Sequence, residues 1–302
     1  MTGFSRISNM PGSDTGSNSP HLDDGEQKQA AQHASPRALV IHEVVREEGE
    51  AAMARTAGAL VMSALAAGLS MGFSFLTQAV IESSLPDTSW RFLVTSFGYT
   101  VGFVIVILGQ QQLFTESTLS AVLPVLTRRD MKTVAKTARL WILVLSANVG
   151  GTLIFAAMLQ IPGVFSENVV KSLGALATQP YSGSFLVTVV RAVFAGWLIA
   201  LMVWLLPSAR SARLVTILLI TYVVAISKLS HIIAGSVEAS YGVMTGAASL
   251  QDYLRGFFAP TLLGNMIGGI SLVAIINHGS IAAEITASEP QRQGEPAAVG
   301  ER

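Results

Sequence analysis

Long apolar stretches joined by short polar connections fill the chain between residues 56 and 279. Six runs, 58–81, 92–108, 138–160, 184–206, 214–229 and 257–277, meet or approach the roughly 20 mostly apolar residues a spanning helix needs. The second and fifth are short, and each stops at a polar cluster. After Leu108 come Gly109, Gln110, Gln111 and Gln112, then Leu113-Phe114-Thr115-Glu116-Ser117; after Ile226 come Ser227, Lys228, Leu229, Ser230 and His231. Apolar residues resume at 119–126 and, more weakly, at 237–247, which predicts a second half-helix after each break. The third run contains Asn148-Val149-Gly150-Gly151 and the sixth Asn265-Met266-Ile267-Gly268-Gly269. Each half therefore reads as long helix, broken helix, Asn-Gly-Gly helix, and three spans per half set the two halves inverted in the membrane. Interrupted segments at matching places of inverted halves are a sequence pointer to a solute site at the midplane. The fold class is an all-α membrane protein of six transmembrane helices, arranged as two inverted three-helix repeats with helices 2 and 5 broken.

The ends differ. Residues 1–34 are rich in Ser, Gly, Asp, Asn and Gln and bury too little to offset ordering entropy, so they read as a disordered tail. No apolar segment follows Met1, which excludes a secretory signal peptide there. Residues 35–55 read as an amphipathic helix opened by Ser35-Pro36, packed on the membrane domain or lying on the membrane surface. Residues 56–279 form the transmembrane domain and 280–302 a second polar tail.

Composition narrows the class. Charged residues make up 13% of the chain against about 25% in an ordinary soluble domain, too few for a soluble enzyme of 302 residues. The net charge of zero hides an uneven split, since residues 56–279 hold 12 bases and 7 acids and the ends hold the reverse excess. No basic stripe with aromatics marks a nucleic-acid binder, and the absence of cysteine excludes disulfides and thiolate chemistry. Arg128, Arg129, Lys132, Lys136 and Arg139 follow the second span, and Arg210 and Arg213 follow the fourth, while the alternate loops are balanced or acidic. Basic loops stay inside, so both termini are expected in the cytoplasm of a multi-pass protein.

Few ionisable residues fall within the spans: Glu116, Arg191, Lys228 and His231, with Arg255 at an edge. Such residues mark a pathway or a buried pair. His231 adjoins the second break and is read as a pore residue. Lys228, three positions earlier, is expected to face it if the helix continues. Thr115 offers a hydroxyl at the other break, and Glu116 is expected to cap the following half-helix. Arg191 either pairs with an acid such as Glu238 or faces an outer vestibule. Trp141, Trp197 and Trp204 read as packing or interface residues. No catalytic triad, phosphate loop, cofactor motif or metal-ligand cluster is present, so the expectation is a protein without cofactor and without enzymatic activity.

With Leu113-Phe114-Thr115 at the first break, His231 at the second and Gly264-Asn265-x-x-Gly-Gly at the end, residues 37–278 resemble the formate/nitrite transporter family. Ala67-Gly68-Leu69-Ser70-Met71-Gly72 and Ser236-Val237-Glu238 are most similar to its YfdC-type bacterial inner-membrane branch. The resemblance implies an aquaporin-like fold, a homopentamer with a pore in each protomer, residence in the bacterial inner membrane, and passage of small monovalent anions or their conjugate weak acids. It implies Thr115 and His231 as the central pair and Leu113 and Phe114 at the cytoplasm-facing constriction. Val224 falls where the family often has another aromatic, Phe103 and Tyr99 fall at the outer constriction, and Asn265 would hydrogen-bond near the pore or serve packing. Three departures stand out: Gln111 and Gln112 replace a small residue and an acid, Gly196 stands where an asparagine is usual, and a vestibule lysine has no counterpart, Pro180 falling there by counting.

Three functions remain on this reading: a channel or proton-coupled carrier for small monovalent anions, a channel for small neutral solutes on the same scaffold, or a protein with a vestigial pore whose tails bind partners.

Overall fold

The computed structural model describes residues 19–33 and 36–276. Helices account for all the regular structure among them, and no strand is present there. Helix α1, Asp24–His33, lies within the tail read as disordered. A reciprocal cap explains it: the Asp23 carboxylate accepts from the Gly25 and Glu26 amides at 2.8 Å, and the Glu26 carboxylate accepts from the Asp23 amide at 3.0 Å. Residues 1–18, Ser35 and the tail at 280–302 lie outside the described residues.

Helix α2, Ala38–Ala54, starts after an extended Arg37, two residues past the Pro36 start that the sequence suggested. Its buried face, His42, Val45, Gly49, Ala52 and Met53, repeats at helical spacing. A Cβ added at Gly49 would overlap the Ser120 carbonyl, so this glycine lets α2 sit directly on the chain behind the first interruption. Arg46 binds Glu43 and Glu50, and Arg128 also binds Glu50 at 2.9 Å, which ties α2 to the far end of the first half.

Among the described residues, four helical runs are long and apolar enough to cross a membrane: Ala57–Ser84 (α3), Arg91–Leu108 (α4), Met131–Met158 (α7) and Phe185–Ile226. The last comprises α9, Phe185–Ala209, and α10, Arg213–Ile226, with a bend at Arg210 where φ is 36°. Thr56, Asp130 and Ser184 cap α3, α7 and α9 with side-chain oxygens on the third amide beyond. Between α4 and α7 lie α5, Phe114–Ser120, and α6, Val122–Arg128. After α10 come α11, Ile232–Met244, a π-helical segment Asp252–Phe258, and α12, Ala259–Ile276, which reaches the last described residue. Helices α5 and α11 each begin five residues before the apolar runs at 119 and 237 that announced them.

Helix α8, Glu167–Leu176, occupies a stretch read as loop. It buries Val169, Leu173 and Leu176, spaced by four and three, against Phe75 and Phe155. In the packing, α3 contacts α4 and α7, while α12 lies along α9, and α10 bridges α4 and α9. Gly68 and Gly151 bring α3 and α7 within backbone contact, and Gly196 and Gly268 do the same for α9 and α12.

Candidate permeation site

The two interruptions have the same local geometry. At the first, the Gly109, Gln110 and Gln111 amides donate to Ile105, Ile107 and Val106 at 2.9, 3.2 and 3.0 Å. At the second, the Ser227, Lys228 and Leu229 amides donate to Val223, Ala225 and Val224 at 3.1, 3.0 and 3.0 Å. In each case the middle residue is left-handed, Gln110 at φ 53° and Lys228 at φ 51°. Every residue of the first turn maps to the second with an offset of 118 positions.

An asparagine secures each turn. Asn148 accepts from the Phe114 amide at 2.9 Å and donates to the Ala64 and Gln112 carbonyls at 2.7 and 2.9 Å. Asn265 accepts from the Ile232 amide at 2.8 Å and donates to the Ala192 and Ser230 carbonyls at 2.8 and 2.9 Å. These bonds satisfy the first amides of α5 and α11, which is why both helices begin so early. Asn265, expected to bond near the pore or to serve packing, is thus fully committed to backbone. Asn148, noted in the sequence only as a repeat marker, has an equal part, and its pairing with Asn265 was the signal for it. The absent asparagine at Gly196 has a steric reason: a Cβ there would overlap the Asn265 backbone.

The same offset pairs His231 with Leu113 as the residue before each new helix. His231 Nδ1 lies 3.2 Å from the Ala234 amide, which can only donate, so Nδ1 accepts and caps α11. The neutral ring then carries its proton on Nε2, which donates to Thr115 Oγ1 at 2.8 Å. Both side chains are 1% exposed. Phe103 meets the imidazole edge-on at 5.0 Å between ring centroids, and Tyr99 packs at a tilt against Phe103 at 5.3 Å.

A vestibule opens on either side. The one on the α8 side, about 390 Å³, is lined by His231, Ser230, Lys228, Val224, Tyr99 and Glu238, with further polar residues towards its rim. The one on the α2 side, about 650 Å³, is lined by Leu113, Gln110, Gln111, Gln112, Glu116 and Glu48, among others. Phe103, Thr115 and Phe114 line neither and belong to the buried barrier.

Several expected placements shift. Lys228 does not stack under His231, because the chain is left-handed rather than helical at that residue; its ammonium sits 5.0 Å over the Phe92 ring. Val224 faces the α8-side vestibule, opposite the side of Leu113. Phe114 packs on Trp141, whose indole donates to the Ser117 carbonyl at 3.1 Å. Glu116 caps nothing: its Oε1 is buried without a hydrogen-bond partner, and the α5 amide is taken by Asn148. Of the two placements expected for Arg191, the vestibule is the one seen: it lines the α8-side vestibule and donates to the Ser182 hydroxyl at 3.4 Å.

Residues 39–279 match the family model described as formate/nitrite transporter. The chain is 39% identical over 250 residues to the inner membrane protein YfdC of Escherichia coli (strain K12), covering 83% of this chain and 81% of that one. It is 23% identical over 239 residues to the formate channel BtFdhC of Bacillus thuringiensis, covering 77% and 91% respectively. A solved pentameric formate channel with formate bound superposes with a TM-score of 0.62 at 21% identity, over 72% of this chain and 95% of that one. Two vestibules separated by a buried barrier that holds a polar pair, in a chain matching this family, are those of a membrane channel or transporter. The chain belongs to the formate/nitrite transporter family.

Proposed function

We propose that each copy of this chain conducts small monovalent anions or their conjugate weak acids, formate and nitrite being the reference solutes, through the two vestibules and past the Thr115–His231 pair. The observation that carries this reading is the 2.8 Å bond between those side chains, which sets two hydrogen-bonding groups in an otherwise apolar barrier. A solute stripped of water at that point loses several kcal/mol unless new partners replace it. The Thr115 hydroxyl and the Nε2–H of His231 are the available replacements.

On this reading the chain crosses a bacterial inner membrane six times. The second crossing is α4 with α5 and the fifth is α10 with α11, in two inverted halves; the 118-position offset between the interruptions supports the repeat. Arg128, Arg139 and Arg213 lie on the α2 side, since Arg128 binds Glu50, Arg139 reaches the Arg55 carbonyl and Arg213 lines that vestibule. That makes the α2 side cytoplasmic, with both termini inside. The apolar outer faces, with Phe73, Phe97 and Phe194 exposed, suit lipid and neighbouring copies in a homopentamer.

A second reading, a channel for small neutral solutes, draws support from Gln110 and Gln111 on the inner vestibule. Uptake of labelled formate, nitrite, acetate and lactate against glycerol and water in proteoliposomes separates the two. Anion or weak-acid flux supports the first, and pH-independent glycerol or water flux alone supports the second.

A further inference from the structure

The α2-side end of α7 carries basic side chains without acidic partners. Lys132, Lys136 and Arg139 are spaced by four and three, so they share one face of the helix, and all three are exposed. Arg129, also exposed, stands just before α7 in a left-handed conformation, with its Nε on the Leu126 carbonyl at 3.2 Å. Among the described residues, no ion pair within 4.0 Å joins any of these four to an acid. The acids at this end are already engaged. Both oxygens of Asp130 accept from Thr133, from its amide at 2.8 Å and from its hydroxyl at 2.7 Å. Glu50 is held by Arg46 and Arg128 at 2.7 and 2.9 Å. Arg139 reaches a carbonyl, that of Arg55, at 3.4 Å.

The helix bearing this stripe is one of those long and apolar enough to cross a membrane. From Lys132 to Arg139 the stripe rises about 10 Å, at about 1.5 Å per residue. That length covers the headgroup layer of one leaflet and the first hydrocarbon beneath it. At about 100° per residue, Met131, Val134 and Ile142 fall on the neighbouring face, and all three are exposed. The other flank, Thr133, Thr137 and Leu140, is buried against the protein. A cationic stripe at the membrane surface with an apolar stripe running alongside matches a phosphate ester that carries acyl chains. A soluble anion would use the lysines and leave the apolar stripe idle. Neither vestibule includes Lys132 or Lys136, so the stripe is separate from the permeation path.

We propose that Arg129, Lys132, Lys136 and Arg139 form a binding site for an anionic phospholipid of the leaflet on the α2 side. Its phosphate lies on the basic stripe and its acyl chains run along Val134 and Ile142. This goes beyond the transport reading and holds whichever solute crosses.

The test is titration of the full-length protein in mild detergent with phosphatidylglycerol, and with phosphatidylcholine of the same acyl chains as the net-neutral control. Native mass spectrometry reads the lipid retained, and thermal unfolding reads the stabilisation. The wild type is expected to retain phosphatidylglycerol in preference to phosphatidylcholine, saturably, and less tightly as salt is added. The double variant Lys132→Gln/Lys136→Gln should bind phosphatidylglycerol about fivefold more weakly for each lysine removed, with phosphatidylcholine unchanged. Both lysines are exposed and outside any ion pair, so without lipid the variant should unfold at the wild-type temperature. Lys171→Gln, at an exposed position of α8 on the opposite side, should leave binding of both lipids as in the wild type. Equal retention of the two lipids by the wild type overturns the proposal, as does undiminished affinity for phosphatidylglycerol in the double variant. Displacement of the lipid by millimolar inorganic phosphate also overturns it, since the stripe would then be a site for soluble anions.

Discussion

Asn148 and Asn265, on separate helices 117 positions apart, make the same set of bonds to two different interruptions. Each accepts from the first amide of a new helix, donates to the carbonyl just before the turn's end, and donates to a carbonyl on the adjoining long helix. One amide side chain thereby locks three chain segments together.

Replacing either asparagine by alanine leaves the buried first amide of a new helix without its partner, at about 1–3 kcal/mol, and removes two further bonds to carbonyls, at about 0.5–1.5 kcal/mol each. Asn148→Ala and Asn265→Ala should each lower stability by about 3 kcal/mol or more. Thermal unfolding of the purified protein in detergent, followed by loss of helicity, checks this, and a loss in only one of the two halves would contradict the equivalence.

Gly68 and Gly196 face the backbones of the two asparagines, and an added Cβ at either would overlap a main-chain carbonyl that cannot rotate away. Gly68→Ala and Gly196→Ala should each cost about 2–3 kcal/mol, the upper part of the overpacking range. Gly150→Ala is the control. It neighbours Gly151 in sequence, but a Cβ there meets nothing within 4 Å, and its unfolding temperature should stay close to wild type.

Helix α2 lines the α2-side vestibule and is tied to α6 by the ion pair of Arg128 with Glu50, while Arg46 braces Glu43 and Glu50 within the helix. Burial raises Glu43, but hydrogen bonds from Arg46 and His42 outweigh it and hold the carboxyl below its usual range. A carboxylate held low contributes stability above its unfolded value and loses it as the pH falls through the lowered one. Amide hydrogen exchange of α2, taken relative to the intrinsic rate at each pH, should therefore be strongly retarded at neutral pH and less so as the pH drops below the usual carboxylate range. Glu50→Ala should speed it at neutral pH, since Glu50 joins both arginines. Being partly exposed, the tether should also weaken with added salt.

Much of this was legible in the sequence, because lipid demands long apolar runs and the runs are long. The matched polar clusters fall at the turns that follow α4 and α10, and Thr115 and His231, singled out beside them, lie 2.8 Å apart. Three placements were not legible, each for a local reason. Lys228 was read on helical spacing across a turn whose left-handed residue no glycine announced. Glu116 was read as a cap because the competing cap, Asn148, comes from 34 residues away. Helix α8 shows only one apolar stripe within a polar connection, a weaker signal than a spanning run.

The central claim is that the Thr115–His231 pair is the point through which solute passes. Initial rates of labelled formate uptake into proteoliposomes, compared among wild type, Thr115→Val and His231→Asn, test it most directly. Thr115→Val keeps the shape and removes the hydroxyl; His231→Asn keeps an N-cap for α11 but is too short to reach Thr115. The account predicts formate uptake by the wild type and a drop of at least about tenfold in each variant, the loss of one buried hydrogen-bonding partner at about 1.4 kcal/mol or more. Both variants should retain wild-type unfolding behaviour within about 2 kcal/mol. Undiminished uptake in both variants, or a wild type that passes glycerol and no formate, would contradict it.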